Sequence, residues 1–135
     1  MQLYDFYSPQ LGHIFTVDAN FPAKNPGVWR RIINDPIYVY ESQVAGSVPL
    51  YIVQHRTSSV YCLTRDNTID LDIWAPTNYP IVYAYENQAE GTAPVYQYYH
   101  PNKLGDGYFY DFTHNPTGNG WIENTVKFYA FRNTD

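Results

Sequence analysis

The chain has 135 residues, the length of one domain with a substantial core. Aromatic residues reach 19% (15 Tyr, 7 Phe, 3 Trp) and charged residues only 16%, which excludes disorder, and no run approaches the ~18 apolar residues of a membrane span. The net charge is −5, from 8 basic and 13 acidic residues with the basic ones scattered, so neither a nucleic-acid partner nor membrane insertion is expected.

The first expected elements are two strands, Leu3 to Tyr7 and His13 to Val17, joined by Ser8-Pro9-Gln10-Leu11-Gly12. That joint holds the Pro and Gly of a hairpin loop. A Pro- and Asn-rich stretch, Asn20 to Gly27, follows, and then one or two strands near Trp29 and the closing Tyr38-Val39-Tyr40.

The same order of markers then returns twice. Leu3-Tyr4-Asp5-Phe6-Tyr7 reappears as Leu50-Tyr51-Ile52-Val53-Gln54 and as Val95-Tyr96-Gln97-Tyr98-Tyr99. Trp29 is matched by Trp74 and Trp121, and the closing motif by Tyr83-Ala84-Tyr85 and Tyr129-Ala130-Phe131. The joints Gln43-Val44-Ala45-Gly46-Ser47-Val48-Pro49 and Gln88-Ala89-Glu90-Gly91-Thr92-Ala93-Pro94 match as well. The chain therefore reads as one domain, 1–135, built of three repeats at 1–49, 50–94 and 95–135. Ten prolines forbid long helices, and only Asp70 to Trp74 suits a short helical turn. The expected fold is all-β, a β-trefoil with pseudo-threefold symmetry and about twelve short strands. A threefold β-prism is the alternative.

The pattern Leu/Val-Tyr-x-Phe/Tyr-Tyr, a Gly-containing loop, His-x-Phe-Thr, a Trp and Tyr-x-Tyr resembles a family of short aromatic tandem repeats. Such repeats occur, often in threes, in bacterial and fungal proteins, sometimes appended to secreted hydrolases. The match is Leu3 to Tyr7 with Gly12-His13-Ile14-Phe15-Thr16 in the first copy, and Val95 to Tyr99 with Tyr108-Phe109-Tyr110 in the third. The second copy departs at Val53-Gln54-His55 and Ser59-Val60-Tyr61-Cys62. The resemblance implies a β-trefoil-like repeat domain and carbohydrate attachment. The Gln-x-Trp motif of ricin-B-type lectins is missing, so that group's sugar contacts do not carry over.

The residues point to a sugar-binding protein rather than an enzyme. No Gly-x-Ser-x-Gly elbow surrounds Ser58-Ser59, and Asp18, Asp66 and Asp111 recur once per copy, unlike an asymmetric catalytic pair. No cofactor and no metal are expected. Asp106, Asp111 and His114 form only a notional cluster, and a solvated loop explains them. Sugar binding needs an aromatic face for the apolar side of a pyranose and fixed polar groups for its hydroxyls. The first copy offers His13, Asp18, Asn20 and Trp29, and the second His55, Arg56, Asp66, Asn67 and Trp74. The third offers His100, Asn102, Asp106, His114, Asn115 and Trp121. Each type also has a plain structural explanation: Trp in the core, Asp and Asn holding turn backbones. The second copy, lacking the second Tyr and the Pro, is expected to be the dead or altered one.

Glycans or glycoproteins are the expected partners, and a homodimer is left open. The rivals are a trefoil protease inhibitor presenting residues 114–120, and the targeting module of a toxin or hydrolase. Cys62 excludes an intramolecular disulfide and reads as a small buried residue of a strand. Neither a charged leader nor an apolar h-region opens the chain. A cytoplasmic protein, or one released without a leader, is therefore expected, with an extracellular one if a leader has been removed.

Overall fold

The computed structural model describes residues 1–24, 29–65, 70–99, 108–112 and 122–132. It is all-β. The strands are β1 (Gln2–Ser8), β2 (Gly12–Thr16), β3 (Arg30–Tyr38), β4 (Ser47–His55), β5 (Tyr61–Thr64), β6 (Trp74–Pro76), β7 (Val82–Tyr85), β8 (Ala93–Tyr99), β9 (Tyr108–Asp111) and β10 (Ile122–Ala130). The helix α1 (Phe21–Lys24) is a single turn. These strands form two antiparallel sheets rather than a closed barrel: β2-β1-β3, and β5-β4-β7-β10-β8-β9 with β6 also on β4.

The opening strand of each sequence copy lies between its neighbours. β1 pairs with β2 and β3, β4 with β5 and with β6 and β7, and β8 with β9 and β10. The same positions are buried in all three: Leu3, Asp5 and Phe6; Leu50, Ile52 and Val53; Val95, Gln97 and Tyr98. Adjacent strand residues face opposite sides, so burial of two in succession means both faces of the strand are covered there. In the first copy the second cover is α1, whose Phe21 stacks on Phe6 at 5.7 Å and meets Trp29 edge-on at 4.9 Å.

The closing strands do not run flush with their partners. Leu3 lies opposite Ile37 and Asp5 opposite Ile32, so residues 33–36 leave the ladder. Val53 lies opposite Pro76 and Leu50 opposite Val82, so residues 77–81 leave it in the second copy. Pro76 precedes that excursion and Pro80 lies within it, and a proline has no N–H to give the ladder. β10 carries two smaller irregularities, between Glu123 and Thr125 and between Val126 and Phe128.

The three closing motifs meet in a ring. Tyr38 pairs with Phe131, Tyr40 with Tyr83, and Tyr85 with Tyr129. In each pair the first residue of one motif faces the last of another. The rings of Tyr40, Tyr85 and Phe131 follow suit, with centroids 5.8–6.3 Å apart and planes 77–83° to each other. Edge-to-face geometry is the favoured arrangement of aromatic quadrupoles.

The turns leading into β4 and β8 repeat atom for atom. Ser47 Oγ donates to the Val44 carbonyl (2.8 Å) and accepts from the Val44 N–H (3.0 Å), while Gln43 Nε2 donates to the Ser47 carbonyl (3.3 Å). Thr92 Oγ1 donates to the Ala89 carbonyl (2.7 Å) and accepts from the Ala89 N–H (3.0 Å), while Gln88 Nε2 donates to the Thr92 carbonyl (2.9 Å). Gly46 and Gly91 take φ of 82° and 80° in these turns.

Two expectations differ from what is seen. Ten strands, not about twelve, are present among the described residues, because a single long strand (β3, β10) runs to the closing motif in the first and third copies where the second copy has two, β6 and β7. The helix lies at Phe21–Lys24, in the stretch read as Pro- and Asn-rich loop, whereas Asp70 to Trp74 makes one turn through Trp74 N–H to the Asp70 carbonyl (2.9 Å). Pro22 suits a first helical turn, where no intrahelical N–H bond is lost.

Candidate functional site

Seven of the sequence candidates fall among the described residues. In the first copy, His13 Nδ1 bonds the buried Asp5 carboxylate at 2.7 Å, and its ring lies against Tyr7 and Phe109. That histidine ties the first copy to the third. Asp18 serves the turn before α1: Oδ1 accepts the Asn20 N–H (2.9 Å) and Oδ2 the Lys24 ammonium (3.0 Å). Those two bonds, the lysine first, hold its carboxyl below the ordinary value. Asn20 caps α1 by accepting, at its carbonyl, the N–H groups of Ala23 and Lys24. Trp29 is half-buried against Phe21.

In the second copy two candidates, His55 and Trp74, meet. His55 Nδ1 accepts the N–H groups of Thr57 (3.2 Å) and Ser58 (3.1 Å), which leaves its proton on Nε2 and shapes the β4–β5 turn. Its ring meets Trp74 edge-on at 5.1 Å, and Trp74 in turn lies 5.9 Å from Tyr108. Arg56 Nε donates to the Leu71 carbonyl at 2.7 Å. Asp66, Asn67, His100, Asn102, Asp106, His114, Asn115 and Trp121 lie outside the described residues, as does the 114–120 segment. Among the described residues no group of three His, Cys, Asp or Glu gathers in a way that would hold a metal, and no helix is long and apolar enough to cross a membrane.

A concavity forms elsewhere. Where residues 77–81 leave the ladder, an open groove of about 370 Å³ lies between them and β4. Tyr51, Ile52 and Val53 line it from β4, and Pro76, Thr77, Asn78, Tyr79 and Ile81 from the excursion. Thr77 Oγ1 donates to the Ile52 carbonyl at 2.6 Å and pins the start of the excursion to β4. Tyr79 is anchored on its far side, edge-on to Phe21 at 5.5 Å and to Tyr61 at 5.9 Å. Burial, and then the hydrogen bond to Tyr79, push the Tyr61 hydroxyl's pKa well above its ordinary value. Asn78 stands exposed at the rim, and a shallower hollow on its other side adds Gln54.

The groove thus has apolar and aromatic walls, an amide and a hydroxyl, and no charged side chain among its described lining residues. Its volume is at the small end of ligand pockets, ~300–1,000 Å³. None of its lining residues was among the sequence candidates. The signal was present: Pro76-Thr77-Asn78-Tyr79-Pro80 is a turn-forming run where the matching strand should continue, beside the Tyr51 of the repeated Leu-Tyr pair.

A second polar centre is closed to solvent. Gln97 Nε2 donates to the Tyr110 hydroxyl (2.7 Å), which accepts the Leu63 N–H (2.8 Å), with Cys62 Sγ 3.3 Å from Gln97 Nε2. Burial raises the Cys62 thiol's pKa, so it is a packed, unreactive residue rather than a nucleophile.

No family model, curated protein or solved structure matches this chain.

Proposed function

We propose that this protein is a carbohydrate-binding protein, a lectin without catalytic activity, and that its best-formed site is the groove between β4 and residues 77–81. The observation that carries the reading is the company kept there: Tyr51 and Tyr79 beside Thr77 and the exposed amide of Asn78. Aromatic rings cover the C–H side of a pyranose, and an amide gives both a donor and an acceptor for neighbouring hydroxyls. The site differs from the expected ones and lies in the copy expected to be altered.

On this reading the chain is a member of the short aromatic tandem-repeat family, with its three copies arranged about a pseudo-threefold axis in the β-trefoil manner. The ring of pairs among the Tyr38, Tyr83 and Tyr129 motifs supports that arrangement, as do the matched turns at Gly46 and Gly91. Unequal sites on one rigid body suit multivalent recognition, which raises avidity by ~10²–10⁴ without new contacts.

A glycan array probed with the full chain tests the reading. Binding to a defined glycan set, weakened about tenfold or more by Asn78→Ala in a protein of unchanged circular dichroism, is the expected result. A blank array together with tight stoichiometric inhibition of a protease would overturn it in favour of the inhibitor alternative.

A further inference from the structure

We infer that the groove selects neutral sugars bearing an acetamido group, of the N-acetylhexosamine class. The inference rests on the glycan-binding reading and narrows it. Three features of the groove point this way. First, no charged side chain is among its described lining residues, so a sialic acid carboxylate or a sulfate would give up hydration with no cation to replace it. The chain's net charge of −5 adds a general repulsion of polyanions.

Second, one side of the groove is more apolar than a plain hexose needs. The exposed Pro76 and the 43% exposed Ile81 line it, while Ile52 and Val53 on β4 are almost wholly buried at 6% and 3% exposure. A hexose rim carries hydroxyls all round, whereas an acetamido methyl gives that side something to cover. Third, the polar groups opposite are those an amide pairs with. Asn78 offers an N–H₂ and a carbonyl, matching the C=O and N–H of an acetamido group. Thr77 has committed its proton to the Ile52 carbonyl, which leaves its oxygen as an acceptor.

Saturation-transfer NMR on the full chain tests this with methyl β-glycosides of N-acetylglucosamine and N-acetylgalactosamine against those of glucose and galactose. The methyl glycoside of sialic acid is the anionic probe. At least one acetamido sugar is expected to bind about fourfold or more tightly than its parent hexose, the worth of one buried methyl group. Ile81→Ser, at a 43% exposed position and with the fold checked by circular dichroism, should erase that preference. Equal binding of acetamido sugar and parent hexose would overturn the inference yet leave the lectin reading standing. So would a preference for sialic acid that fades with salt. Failure of every glycan, on the array as well as in these titrations, would overturn both.

Discussion

Gly91 shows how one residue can fix a turn and an interface together. Its φ of 80° lies in the left-handed region, and a Cβ there would stand 3.4 Å from the Phe131 ring. Gly91→Ala should therefore cost about 1–2 kcal/mol, read as a lowered denaturation midpoint in urea. Gly46, where the added Cβ would meet Tyr85 at 3.6 Å, should be slightly more forgiving. Tyr110 acts through its hydroxyl. Tyr110→Phe removes the partner of the buried Leu63 N–H and of Gln97, and should destabilise by about 1–3 kcal/mol. In the same variant Cys62 should react faster with a thiol reagent, because local opening becomes easier; unchanged reactivity and stability would refute the role given to that network.

Elements were legible where sequence and backbone share a reason. Gly12, Gly46 and Gly91 stand at positive φ in turns that their neighbours announce, so the β1–β2 hairpin and the two matched joints could be foreseen. The α1 turn was not, because its four residues carry no helical periodicity; the clue lay in Asp18 and Asn20, both of which favour caps. Asp18 supplies a pH test of that element. Its folded pKa is lowered by Lys24 and the Asn20 N–H, so its contribution is complete above the unfolded carboxyl's ~3.9 and is lost as pH falls through the lowered value. Asp18→Asn should flatten the stability curve on that acid side, lowering stability near neutrality and changing it least at the acid end. The groove escaped prediction for a different reason. Its walls come from a strand that breaks off at Pro76 and resumes at Val82, and a missing piece of strand has no period to detect. The His, Asp and Trp candidates stood out by chemical type. His13, Asp18 and His55 are instead occupied by Asp5, by Asn20 and Lys24, and by the β4–β5 turn.

At the scale of the molecule, the two sheets are held together where the closing motifs meet. Tyr38 exchanges backbone hydrogen bonds with Phe131 (2.9 and 3.2 Å) and Tyr40 with Tyr83 (2.9 and 2.8 Å), which ties β3's end to the larger sheet. Phe131 makes two of the three edge-to-face contacts in the ring cluster, at ~0.5–1.5 kcal/mol each, so Phe131→Ala should cost about 1–3 kcal/mol. The loss should appear in the near-ultraviolet dichroism of Tyr40 and Tyr85 before the far-ultraviolet signal changes. Stability of this shared centre leaves the excursion at residues 77–81 free to serve recognition, since it contributes nothing to the ladder it has left.

The most direct measurement is a ¹⁵N-edited NMR titration of the full chain with a glycan that it binds. The account predicts shifts concentrated at the N–H groups of residues 51–54, 77–79 and 81, with the Asn78 side-chain amide among the largest. Shifts gathered instead around His13, Asp18 and Trp29, or around Tyr40, Tyr85 and Phe131, would contradict it.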